Sequence, residues 1–113
     1  MAERQDKVLV VCRDTGLYQL LLEVDDPGAL RWFYEDALKP LEDYDSKYRT
    51  DYLDTLKSYL DNNASVQEVA REAYVHRNTI NHKIKRIKEI LGCELTFRDG
   101  LRLLMAFYIR DML

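Results

Sequence analysis

Between His76 and Lys88 the chain carries Arg77, Lys83, Lys85, Arg86 and Lys88 with no acid among them, and interleaves them with Asn78, Asn81 and His82. Long cationic side chains attract phosphate oxygens. Arginine can also grip guanine O6 and N7 with two hydrogen bonds, and asparagine can do the same for adenine N6 and N7. This is recognition chemistry rather than bond making. The whole chain has a net charge of −3, so a segment at +5 rides on a body at −8. Such an asymmetry binds a polyanion locally and repels it elsewhere, which favours one orientation. The plain alternative is a solvated basic face; the interleaved amides and histidines weigh against it.

Recognition groups need a rigid support. Ile80, Ile84, Ile87 and Leu91 recur at three- and four-residue steps, and at 100° per residue they fall within about 60° of one another. They form one narrow buried stripe on a helix that Gly92 stops. Opposite the stripe lie Asn78, His82, Lys85 and Glu89, with Asn81 and Arg86 to either side. Upstream, Ser65 and Glu68 have the S-x-x-E spacing of a capping box, Val66, Val69, Ala70 and Ala73 form an inner face, and Tyr74-Val75 makes a turn. Two helices joined by a tight turn, the second one basic, are the plan of a helix-turn-helix reader of double-stranded DNA. On that plan Arg77, Asn78, Asn81 and His82 are the expected base readers. Lys83, Lys85, Arg86 and Lys88 are expected on phosphates, and Gln67 is expected to offer its amide to a phosphate near a helix N-terminus. Thr79 is expected to cap or brace the turn, and His76 is a candidate N-cap.

The remaining elements must hold this pair. Val8 to Cys12 reads as a short strand, and Leu17 to Leu22 as a short helix. Asp26-Pro27-Gly28 opens a helix through Leu30, Trp32, Phe33, Tyr34, Ala37 and Leu38, which Pro40 is expected to end. Leu41 to Asp45 reads as a polar connector. Tyr48, Tyr52, Leu53, Leu56, Tyr59 and Leu60 then predict an amphipathic helix stopped by Asn62-Asn63. A last helix runs through Leu101, Leu104, Met105, Tyr108 and Met112, with Leu103, Phe107 and Ile109 on another side. That second apolar ridge is either a partner surface or packs on the helix of residues 26–38 or on an upstream domain. The expected fold class is all-α, a small helical domain with one strand-like segment at its start. Residues 1–13 are expected to be a remnant or linker of an upstream domain. Residues 14–113 are expected to be the DNA-binding unit, with the helix-turn-helix at about 65–91.

Composition narrows the function classes. With 113 residues, 47% apolar and 33% charged, the chain can build one core. No apolar run approaches the roughly 18 residues of a membrane span, and the first residues lack a signal-peptide core, so a cytoplasmic location is expected. Cys12 and Cys93 stand far apart and with His76 and His82 make no zinc pattern. No phosphate loop or nucleophile elbow is present, so neither an enzyme nor a cofactor is expected. The acids Asp43 and Asp45, or Asp51 and Asp54, are ordinary on helix surfaces and connectors.

Several stretches together resemble a known family. Asp14 to Leu21, Leu38-Lys39-Pro40-Leu41, Tyr44-Asp45 and Leu53 to Leu60, then Val75-His76-Arg77-Asn78-Thr79-Ile80, Lys85-Arg86-Ile87 and Leu91-Gly92, resemble the C-terminal domain of the purine catabolism regulator (PucR) and sugar diacid regulator family. The resemblance covers roughly residues 13–111. It implies a bacterial transcription regulator, longer than this chain, with a sensory domain before the part in hand. It also implies recognition positions at Arg77, Asn78, Thr79, Asn81 and His82. Two departures stand out. Tyr74 occupies the turn position where many helix-turn-helix units carry glycine. Asn81-His82-Lys83 stands where the family often shows an arginine or tyrosine pair, which bears on the target sequence. Because one helix-turn-helix touches few base pairs, a homodimer is expected. The competing reading is a helical interaction or dimerisation module that does not bind DNA.

Overall fold

The computed structural model describes residues 16–113, and these hold six helices and no strand. The strand expected at Val8 to Cys12 and the expected boundary near residue 13 lie outside the described residues. Helix α1 covers residues 16–22. It is followed by α2 (Pro27–Tyr48), α3 (Tyr52–Asp61), α4 (Val66–Ala73), α5 (Arg77–Leu91) and α6 (Phe97–Met112). The all-α expectation holds. The core gathers Leu21 of α1, Ala37, Leu38 and Leu41 of α2, Leu53 and Leu56 of α3, Val69 and Ala70 of α4, Ile80, Ile84 and Ile87 of α5, and Leu103, Ala106, Phe107 and Ile109 of α6.

Helix α2 corrects the reading of Pro40. Asp26 caps its start by accepting from the Gly28 amide at 2.9 Å, and Pro27 takes the first turn, as the sequence predicts. The helix then runs straight through Pro40 and the supposed connector to Tyr48. An interior proline costs roughly 3 kcal/mol through a lost backbone bond and a ring clash. Burying a leucine returns roughly 1.5–3 kcal/mol, and Leu38 and Leu41, on either side of Pro40, are both fully buried while the proline ring faces out. Burial on both sides outweighs the local penalty. The apolar steps Tyr34, Ala37, Leu38, Leu41 were the sequence signal for this continuity.

The predicted amphipathic helix beginning at Tyr48 is split at residues 49–51. Arg49 ends α2 in the left-handed region at φ 55°. Asp45 then does an unforeseen job. Its carboxylate accepts from the Tyr52 amide at 3.0 Å and the Leu53 amide at 2.8 Å, and from the Thr50 hydroxyl. An acid in the last turn of α2 therefore caps the start of α3, where a negative charge suits the helix dipole. Asp51, the residue nominally at the N-cap of α3, makes no capping bond with its side chain.

Helix α6 settles the choice between its two apolar sides. Leu103, Ala106, Phe107 and Ile109 are buried, whereas Leu101 is exposed and Leu104, Met105, Tyr108 and Met112 are only partly covered. The ridge considered as a partner surface is thus core, lying where α6 packs on α2 and α3. Apolar residues surround this helix on most sides, so periodicity alone supports either stripe. Thr96 and Asp99 form a complete capping box at its start. Helix α1 is tied to α6 by Tyr18, whose ring meets Tyr108 edge-on at 5.0 Å and whose hydroxyl donates to Asp111 at 3.4 Å.

Candidate nucleic-acid interface

Helices α4 and α5 form the expected helix-turn-helix, with α5 resting on α2, α3 and α4. Ser65 caps α4 by accepting from the Glu68 amide at 3.2 Å. The return bond of the box is not made: the Ser65 amide donates to the Asn62 carbonyl, and Glu68 pairs with Arg71 at 3.5 Å. The turn closes on Tyr74, whose backbone is left-handed at φ 57° and whose amide reaches the Arg71 carbonyl. The imidazole Nδ1 of His76 accepts from the Asn78 amide at 3.0 Å, so His76 is the N-cap of α5. Replacing His76 with alanine is expected to lower the folding free energy by about 1 kcal/mol, and His76→Asn to restore most of it. Chemical denaturation curves would show both.

Burial on α5 sorts the side chains by direction. Ile80, Ile84 and Ile87 are 1%, 5% and 0% exposed, and Leu91 packs partly against the core. Arg77, Asn78, Thr79, Asn81, His82, Lys85 and Glu89 are exposed. The structure therefore gathers Arg77, Asn78, Asn81 and His82 near the open start of α5, with Lys85 one turn further on. Gln67 is exposed at the second position of α4, and Lys88 is half-buried on α5.

Two of the expected phosphate holders are engaged within the fold. Lys83 Nζ donates to both carboxylate oxygens of Asp51, at 2.9 and 3.0 Å, and its side chain is only 24% exposed. Arg86 donates to the Tyr44 hydroxyl at 2.9 Å, pairs with Glu89, and lies over the Tyr44 ring at 5.7 Å. The bond to Tyr44 first, and that to Glu89 second, raise the guanidinium pKa above its ordinary value and keep it cationic. Both side chains lean toward the corner between α2 and α3. Sequence reasoning missed Asp51 and Tyr44 as their partners. The wheel held half the signal, since Lys83 lies about 70° from the centre of the buried stripe. Arg77, Lys85 and Lys88 form no ion pair among the described residues.

The profile of the family described as the PucR C-terminal helix-turn-helix domain matches residues 52–109, from α3 to near the end of α6. The chain belongs to this family. The matched span contains every candidate site residue, from Gln67 to Lys88. Relatives include the proline-responsive transcriptional activator PutR of Bacillus subtilis (strain 168), 30% identical over 81 residues, which are 72% of this chain and 20% of the relative. The DNA-binding transcriptional activator AdeR of the same organism is 26% identical over 91 residues, 80% of this chain and 22% of AdeR. The purine catabolism regulatory protein, also of that organism, is 35% identical over 75 residues, 66% of this chain and 13% of the relative. The alignments thus span about a fifth or less of these relatives' length. No solved structure gives a significant match. The helix-turn-helix of this family supports a DNA-binding regulatory role and not an enzymatic one. No described helix is long and apolar enough to cross a membrane.

Proposed function

We propose that this chain is the sequence-specific DNA-binding part of a bacterial transcription regulator, and that α5 enters the major groove. Arg77, Asn78, Asn81 and His82 read base edges, with Thr79 at the rim. Lys85, Lys88 and Gln67 hold phosphates. Lys83 and Arg86 join them only after giving up Asp51 and Glu89. The observation that carries this reading is the inward anchoring of Ile80, Ile84 and Ile87, which leaves the Arg77 and Asn81 side in solvent. A start of α5 free of acids adds to the attraction for a polyanion. A longer cytoplasmic protein with a sensory domain upstream, working as a homodimer, completes the proposal. The greater length is supported by the small share of each relative that the chain covers, and the homodimer by the few base pairs that one helix-turn-helix touches.

The test is selection of bound duplexes from a random pool, followed by affinity measurements across salt. An enriched palindrome with half-sites about one helical turn apart is expected of a dimer. Each cation on a phosphate adds about −0.9 to the slope of log affinity against log salt. Lys85 and Lys88 alone predict a slope of about −2 per half-site, and release of Lys83 and Arg86 takes it to about −4. An unenriched pool and no binding at low salt would instead mark an interaction module that leaves DNA alone.

A further inference from the structure

We infer that Tyr74 is itself a DNA contact, lying on the sugar–phosphate backbone at the edge of the groove that α5 occupies. This rests on the groove reading above. Tyr74 sits in the turn between α4 and α5, three residues before Arg77. Its backbone is left-handed at φ 57°, a conformation that glycine adopts without penalty and a tyrosine does not. Among the other non-glycine residues in this region, Leu95, at φ 54°, packs against the core and Asn63, at φ 55°, is of a type that tolerates it, while Arg49, at φ 55°, and Ala64, at φ 64°, are exposed but set no aromatic ring in water. Tyr74 is not repaid inside the fold. It is 95% exposed, more than any other exposed large hydrophobic residue described, and its side chain forms no hydrogen bond or ring contact among the described residues.

An aromatic ring held open to water, at a backbone cost, on the turn leading into the recognition helix has a use in a complex. The phenol is a neutral donor suited to a phosphate oxygen, and polar contacts of this kind set the register of a reader on its duplex. The ring face can cover deoxyribose carbons, giving an apolar body with a polar tip. Val75 beside it is also exposed and extends the apolar contact.

The test compares Tyr74→Gly, Tyr74→Phe and Arg77→Ala in the whole chain, on a labelled duplex of the selected sequence. Tyr74→Gly should leave the melting temperature within a few degrees of the parent, since relief of the left-handed backbone and the entropy of an unfolded glycine oppose each other. Its affinity should fall about tenfold, the scale of a lost hydrogen bond to a charged group together with its apolar contact. The salt slope should not change, because no cation is removed. Tyr74→Phe should lose only part of the affinity, and phosphate-ethylation interference should disappear at one backbone position in both variants. Unchanged affinity in Tyr74→Gly, with Arg77→Ala weakened, would overturn the contact and leave the groove reading standing. Unchanged affinity in both would overturn the groove reading and Tyr74 with it.

Discussion

Replacing Ile87 with alanine is expected to destabilise the fold by about 2–5 kcal/mol, a large share of the 5–15 kcal/mol that typically holds a small domain together. Ile87 is fully buried at the centre of the α5 stripe, on a helix that rests on α2, α3 and α4. The loss combines the transfer energy of three carbons with the cavity they leave, which well-packed helices on several sides cannot close. Ile87→Val, which removes one carbon, should cost only about 0.5–1.5 kcal/mol. Urea titrations should show a lower midpoint with an unchanged slope if the folded state merely loses contacts. A loss below 1 kcal/mol for the alanine variant would mean that α5 is not braced as described, and the orientation of its outer face would lose its support.

The second large effect is on binding. Arg77→Ala and Asn81→Ala are each expected to weaken the selected duplex by about 1–3 kcal/mol, a factor of roughly five to more than a hundred, if each makes a bidentate contact. Both side chains are exposed, so neither change should reduce folding stability by more than about 0.5 kcal/mol. The loss should also relax discrimination at one base position each, whereas Lys85→Ala should weaken all duplexes alike and flatten the salt slope by about 0.9. Competition between the selected duplex and single-base variants separates the two patterns. Equal losses on every duplex for Arg77→Ala would reassign that residue from base edge to phosphate.

How far the site was legible depended on the range of the forces involved. The Ile80, Ile84, Ile87 stripe and the caps Asp26, Ser65 and His76 are local patterns, each complete within one turn or one helix, and the structure shows each in place. Gly92 in the left-handed region belongs with them. Where neighbours distant in sequence took part, local reading fell short. Pro40 is a helix stop by its own chemistry and a helix interior once Leu38 and Leu41 are buried. Asp45 read as a solvated acid and proved to cap a different helix. Lys83 and Arg86 read as free cations, yet Asp51 stands 32 residues from Lys83 and Tyr44 stands 42 from Arg86.

From the order of its residues alone, this protein's helical class, its helix-turn-helix plan and the polar side of α5 could all be stated, because amphipathic spacing and capping act over three or four residues; the family followed from the resemblance of its motifs. Packing alone decided which side of α6 became core and which cations of α5 stayed open to solvent. Both outcomes depend on which surfaces meet across the fold, and a helix that is apolar on most sides, or a lysine at the flank of a buried stripe, carries no local mark of the partner it will find.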